Sequence, residues 1–398
     1  MKRLQIKKLQ MENQQTKKLI ILFLMILFTI VPVSNTYAID NDNTIKQQQE
    51  EFGIQDFIKN AKQYTGEFFD EIDIGEVLND AIEGQVDNST LLKRIINLLG
   101  SEVITSLKAI GSILTVIVIH SVLKSISENL ENEGVAKLIY YVQYILIVTI
   151  IMTNFTQIVK MVQDTCVNLV AFMNMLVPLL ITLMLYTGSI ATSGVLEPII
   201  LFMINFVSNI VQDIIIPFVL IFTSLVIISK ISDNVQVDKL AKFLKSGIVW
   251  FLGIVLTIFV GVVSLEGTMS SSVDGITAKT TKAIVSSAIP VVGKILGDAV
   301  DTVLGCGIVL KNAVGIVGVI VVIGICIMPI IKLATLTISY KLVAVVSQPI
   351  SDKKIVGLLE QMGDIFKILL AILSAMSFML IIGTALVLKI SNSGMMYK

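Results

Sequence analysis

Charge is scarce in this chain. Asp, Glu, Lys and Arg supply 15% of its 398 residues, thirty of each sign, against 55% hydrophobic residues. With a mean hydropathy of +0.86, too little polar surface remains to wrap a soluble fold, and the composition is that of a polytopic membrane protein. The formal net charge is zero and no basic patch is interleaved with aromatics, so nucleic acid has no footprint here. Histidine occurs once, at His120. H-E-x-x-H zinc chemistry is therefore excluded, and no set of histidines is available to a catalytic triad; near the end of an apolar run, His120 suits an interfacial structural role. No G-x-x-x-x-G-K-[ST] phosphate loop exists, since the nearest stretch, from Gly275 to Thr280, lacks the second glycine. The G-x-G-D pattern of intramembrane aspartyl proteases lacks its first glycine at both Leu296-Gly297-Asp298 and Met362-Gly363-Asp364. Three cysteines, Cys166, Cys306 and Cys326, are an odd number in apolar surroundings without metal-like spacing, and are expected as buried thiols. No catalytic, metal or cofactor site is expected, and the chain reads as a non-enzyme.

What is present is organised in three parts. The first is a basic start, Lys2, Arg3, Lys7, Lys8, Lys17 and Lys18, then LIILFLMILFTIVPV and Thr36-Tyr37-Ala38. This describes a secretory signal over residues 1–38, cleaved after Ala38, with an uncleaved anchor as the alternative. Either way the following segment starts outside the cytoplasm. Residues 39–102 carry fourteen acidic against five basic residues, with apolar residues at helical spacing such as Phe52, Phe57, Ile58, Phe68, Phe69 and Ile72. A small, mostly helical extracytoplasmic region is expected, either a docking surface or a solvated acidic tail.

From 103 to 398 the chain reads as a multi-spanning, all-α membrane domain of about six to eight spans, each needing roughly 20 apolar residues. Spans are expected near 103–123, 138–159, 167–187, 247–265, 313–338 and 366–389. The run Leu196–Ser229 would be about 51 Å long as one helix, too long for one straight crossing of a core about 30 Å thick. Asp213 and Pro217 lie in its middle, and a helix broken there, as a hairpin or a bent re-entrant element, is expected. The lysine loop 230–245 and the segment holding Lys341, Lys353, Lys354 and Lys367 belong in the cytoplasm by the positive-inside rule. Three spans before residue 188 and an even number of crossings in 196–229 satisfy that rule.

The polar content concentrates in 264–312. SLEGTMSSSVDGITAKTTKAIVSSAIP carries Glu266, Asp274, Lys279 and Lys282. In its continuation Lys294, Asp298 and Asp301 share one side of a helix at i, i+4 and i+7, and Gly293, Gly297, Gly305 and Gly307 keep the backbone thin for close helix contact. A polar face toward water or a partner subunit competes with an interfacial amphipathic helix bearing a surface ion pair. The mixed signs argue against an ion filter, which uses rings of one sign. Asn205, Asn209 and Asp213 form a second polar stripe at i, i+4 and i+8. The other polar groups in apolar runs, Asn154, Asn168, Asn174 and Lys332, read as contacts between helices.

At SLEGTMSSSVDGITAKT and IPVVGKILGDAVDTVLG the sequence resembles the stage III sporulation protein AE family of endospore-forming bacteria, and the resemblance extends over the signal, the acidic region and the spans. It implies a multi-pass protein in the mother-cell membrane around the forespore. It also implies work with other subunits of the same sporulation complex, including a separate ATPase and a forespore membrane partner, in a transenvelope channel or secretion-like complex that sustains late forespore gene expression. A subunit energised by another fits the missing phosphate loop, and lipid contact and a homo-oligomer are both compatible. An autonomous secondary transporter with a site near Asp213 and Asp298, or a membrane scaffold for partners, are the alternative readings.

Overall fold

The computed structural model describes residues 42–64, 66–69, 72–85, 88–128, 133–231, 240, 243–263, 265 and 293–393. Every regular element among them is helical. Short helices come first: α1 (Asp42–Glu51), α2 (Ile54–Lys62), a 3-10 turn (Gly66–Phe69) and α3 (Ile74–Glu83). Then come α4 (Asn88–Glu128), α5 (Glu133–Tyr186), α6 (Ile190–Asn209), a π turn (Ile210–Ile215), α7 (Ile216–Ile231), α8 (Phe243–Val263), α9 (Gly293–Ser347) and α10 (Lys353–Ser393). Five stretches among the described residues are long and apolar enough to cross a membrane: Tyr144–Tyr186, Thr192–Lys230, Phe243–Val263, Val303–Ser347 and Lys353–Lys389. The chain is an all-α, multi-pass membrane protein.

Helix α9 is the axis of the bundle. Its most apolar window is 83% buried, against 22% for α8 at the periphery. It packs against α10 along much of its length and also meets α4, α5, α3, α1 and the 3-10 turn. Three glycines set how closely its neighbours approach. A Cβ on Gly315 would run into Leu388 of α10, one on Gly318 into Leu176 of α5, and one on Gly324 into Phe69 of the 3-10 turn. These glycines are spaces filled by a neighbour's side chain, the device expected of small residues between membrane helices. Of the four glycines expected to do this, Gly307 does so, meeting Tyr186 and Thr187.

The span boundaries differ from those expected. The stretches 138–159 and 167–187 lie on the single 54-residue helix α5, because the polar residues between them, Lys160, Gln163 and Asp164, sit on its exposed or partly exposed face and interrupt nothing. The expected break at Asp213 and Pro217 is a π turn, and the apolar run continues as one 39-residue element from Thr192 to Lys230. Pro217 has no N–H to offer the carbonyl four residues back at Asp213, and one turn of wider pitch absorbs the mismatch without reversing the chain. The reversal lies earlier, at Gly188, whose φ of 87° is open to glycine. There Ser189 N–H bonds to Met184 O and Gly188 N–H to Leu185 O, closing the end of α5. The boundary expected at residue 102 lies inside α4, a single helix from Asn88.

The acidic region is not a loose tail. Its helices bury Ile54, Phe57, Ala61, Phe68, Ile74 and Leu78 while Glu51, Asp56, Lys59, Asn60 and Glu76 remain exposed. Phe57 and Tyr64 lie 6.0 and 6.4 Å from the ring of Phe172 on α5, and Phe52 stacks edge-on against Tyr186 at 4.9 Å. Gln48 donates to Tyr186 Oη at 3.2 Å and to the Val303 carbonyl at 3.3 Å.

Candidate functional site

The sequence directs attention first to the polar residues. Glu266, Asp274, Lys279 and Lys282 lie outside the described residues. Lys294, Asp298 and Asp301 sit on the first turns of α9, whose backbone runs unbroken into the apolar axis, while their side chains lie outside what the structure describes. The expected stripe Asn205, Asn209 and Asp213 divides in two. Asn205 turns to Asn174 of α5, each amide donating to the other's oxygen at 3.1 and 3.4 Å, and Asn205 also donates to the Leu201 carbonyl at 2.7 Å. Such an interhelical pair contributes about 0.6 kcal/mol. Asn209 and Asp213, on the last residue of α6 and within the π turn, stay exposed. Asp213 therefore belongs to the outer surface of the described bundle and not to its interior. The hydroxyls of Thr149, Thr153 and Thr156 donate to the carbonyls four residues earlier, which satisfies them without a partner helix.

A second group assembles from three distant helices. Lys245 of α8 and Lys341 of α9 grip Asp364 of α10, Nζ to Oδ2 at 2.6 Å and Nζ to Oδ1 at 2.8 Å. Side-chain exposures of 37%, 18% and 23% place it in a half-buried setting. Each carboxylate oxygen accepts from its own ammonium, so the anion is held by two cations at once. Gly363 clears the way, since a Cβ there would lie 2.9 Å from Cγ of Lys341. Tyr144 Oη donates to the Ile227 carbonyl at 2.6 Å, tying α5 to α7, and the Lys230 chain runs past Gly357 of α10.

This node is not legible in the sequence. Lys245 and Lys341 were legible only as cytoplasmic positive charge, and Asp364 only as a partial protease motif. Nearly a hundred residues separate Lys245 from Lys341, so no local spacing could join them. The one available signal was an isolated acid flanked by apolar residues in a span, which requires a cationic partner somewhere. Among the described residues no group of three His, Cys, Asp or Glu side chains gathers to hold a metal ion. Cys166, Cys306 and Cys326 are buried and free.

Comparison with known proteins adds sequence relatives and no solved structure. The chain matches the family described as Stage III sporulation protein AE over residues 72–391. It is similar to the Stage III sporulation protein AE of Bacillus subtilis (strain 168), at 29% identity over 307 residues, 77% of each chain. No solved structure matches.

Proposed function

Because the chain belongs to the stage III sporulation protein AE family, we propose that it serves sporulation as a non-enzymatic membrane subunit of a channel or secretion-like complex joining mother cell and forespore. In this reading it resides in the mother-cell membrane around the forespore. It assembles with the other subunits of the same sporulation complex, including a separate ATPase, and meets a partner in the forespore membrane. The observation that carries the reading is the family match across residues 72–391, joined to a bundle of five apolar stretches of span length, one of which, on α9, is its buried axis. The described core holds packed side chains, with Phe155, Phe172, Tyr340 and Phe366 all buried. A passage would then run between subunits and not through one copy.

The autonomous transporter is the weaker reading, because Asp213, one of its two proposed midplane carboxylates, is exposed on the bundle surface. A scaffold role draws on the charged outer face of α1–α3, with the apolar face already occupied by the chain's own helices.

The test is deletion of the chain in an endospore-forming host, followed by a reporter of late forespore transcription and affinity purification of a tagged, complementing copy. Loss of late transcription together with copurification of the ATPase and membrane subunits is expected. Normal late transcription in the deletion strain would reject the role, and solute flux by the purified chain alone in liposomes would favour the transporter.

A further inference from the structure

A helix that faces lipid turns apolar side chains outward, and α5 does the reverse. Its stretch Tyr144–Tyr186 is apolar as a whole, with a mean hydropathy of 2.2 and its most apolar window 50% buried. Yet from Thr149 to Thr182 its exposed residues are four threonines, Gln157, Lys160, Asp164, Asn168, Asn174 and, as the single apolar one, Val167. A crossing of the hydrocarbon core takes about 20 residues. Wherever such a segment is placed between Tyr144 and Tyr186, at least two of the five amide or charged side chains fall inside it. No placement of the membrane therefore gives α5 an apolar outer side. Helix α8 shows the contrary pattern: Phe243, Val249, Trp250 and Ile258 are more than half exposed, and no amide or charged side chain between Phe243 and Val263 is exposed with them.

The neighbouring helix widens this face. After the reversal at Gly188, α5 and the run from α6 through the π turn to α7 lie antiparallel, tied by Asn174 to Asn205 and by Tyr144 to the Ile227 carbonyl. Counting between those ties at about 1.5 Å per residue, Asp164 and Asn168 stand within about one turn of the level of Asn209 and Asp213, both of which are exposed. Asn209 and Asp213 follow Asn205 at i+4 and i+8 on one side of their helix, and Lys160 precedes Asn174 by about four turns on one side of α5. The polar groups of the two helices thus share one side of the bundle, with the Asn174–Asn205 pair between them. Lys160, Asp164 and Asp213 enter no ion pair among the described residues. Charged and amide side chains on membrane helices are costly when turned to lipid, and they meet one another or water instead.

We infer that this face of α5, with Asn209 and Asp213 beside it, is where two copies of the chain meet within the membrane. The chemistry of the face selects that occupant. Amides donate and accept alike, so Gln157 and Asn168 of one copy can bond to the same residues of another. Lys160 and Asp164 stand about one turn apart with opposite signs, so two parallel copies of the face bring each ammonium within about a turn's height of the other copy's carboxylate. A second copy sits in the same membrane with the same orientation, and its polar groups therefore arrive at matching heights. A face of one sign would repel itself, and this one does not. The inference concerns self-association and holds whether or not the sporulation role does.

The test uses the full chain in membranes, expressed as two copies with different epitope tags. Thr153→Cys and Val167→Cys each place a thiol on the face and leave its amides and charges in place, while Val249→Cys, exposed on α8, is the apolar control. The native thiols are buried, and the chain without an introduced cysteine is the blank. A short bis-maleimide should join the two tagged copies through Thr153→Cys and through Val167→Cys several-fold more than through Val249→Cys. Lys160→Asp sets acid against acid and should reduce that joining several-fold, and exchanging the pair, Lys160→Asp with Asp164→Lys, should restore it. Equal joining at Val249→Cys, joining to a different polypeptide in place of the second tag, or reaction of both face thiols with a charged maleimide and no joining would each overturn the inference. Joining that Lys160→Asp leaves unchanged counts against it as well.

Discussion

The two ends of the long helices are built from equally apolar sequence and are finished by opposite means. At the lysine end, α8, α9 and α10 are pinned by one carboxylate between two ammonium groups. At the far end, α5 and α9 are covered by aromatic rings of the acidic region, with Phe69 lying where Gly324 has no side chain. The first is a directional contact that joins three helices through one side chain each; the second joins them by burial of apolar area. Equally apolar helices are therefore held at their two ends by different forces.

The strongest test of that contrast is Phe172→Ala. Phe172 is fully buried beneath Phe57 and Tyr64, so truncation should cost about 3–5 kcal/mol. Denaturant or detergent unfolding should lose that stability, and proteolysis should reach residues 42–83 first; a fully protected acidic region would break the comparison. Next comes Asp364→Ala, which leaves two half-buried ammonium groups facing each other. A fully buried pair would lose 3–5 kcal/mol on removal of one partner, and the partial exposure here lowers that to about 2–3 kcal/mol. Thermal unfolding in mild detergent should show the loss, and Lys245→Met should cost distinctly less because Lys341 still holds the anion. Equal losses for the two variants would mean that the node does not act as one unit.

Gly324→Leu forces a side chain into the space of Phe69, an overpacking of about 1–3 kcal/mol. Hydrogen exchange should quicken in 66–83 while amides around Asp364 keep their protection. The smallest effect is at Asp73, which accepts from Gly75 N–H at 2.9 Å as the N-cap of α3 and lies 3.2 Å from Lys62. The Gly75 amide and then Lys62 hold its carboxyl below the usual range. A depressed carboxylate stabilises the fold above its unfolded pKa, and that contribution fades as the pH falls through about 4 toward the lower folded value. Asp73→Ala should cost about 0.5–1 kcal/mol at neutral pH and much less below pH 3, read as local exchange in α3. A pH-independent cost would assign the effect to packing instead of the cap.

Much of the membrane architecture was legible in the sequence because apolar run length is a local property. The runs themselves were found, and so were the helical spacing of Phe57 and Phe68 and the buried cysteines. Their joins are not legible, because a polar interruption in hydropathy need not end a helix. Lys160 and Asp164 interrupt the hydropathy of α5 without interrupting its backbone hydrogen bonds, since a helix requires only that its exposed side chains find water. Asp213 with Pro217 looked like a break and is a π turn, because one wider turn satisfies the backbone that proline leaves short. Among the described residues one apolar stretch of span length precedes Gly188, Tyr144–Tyr186, where three were expected, and one, Thr192–Lys230, follows it where an even number of crossings was expected.

What the sequence determined by itself is the solvent of each segment type: helices for apolar runs, which must satisfy their own backbone where no water reaches, and an amphipathic cover for the acidic region. Tertiary structure alone decided which charges meet and which glycine receives which ring. Lys245, Lys341 and Asp364 come from three helices, and Phe69 meets Gly324 across more than 250 residues of chain. Contacts of that separation depend on the packing of whole helices against one another, and no periodicity within a single run encodes them.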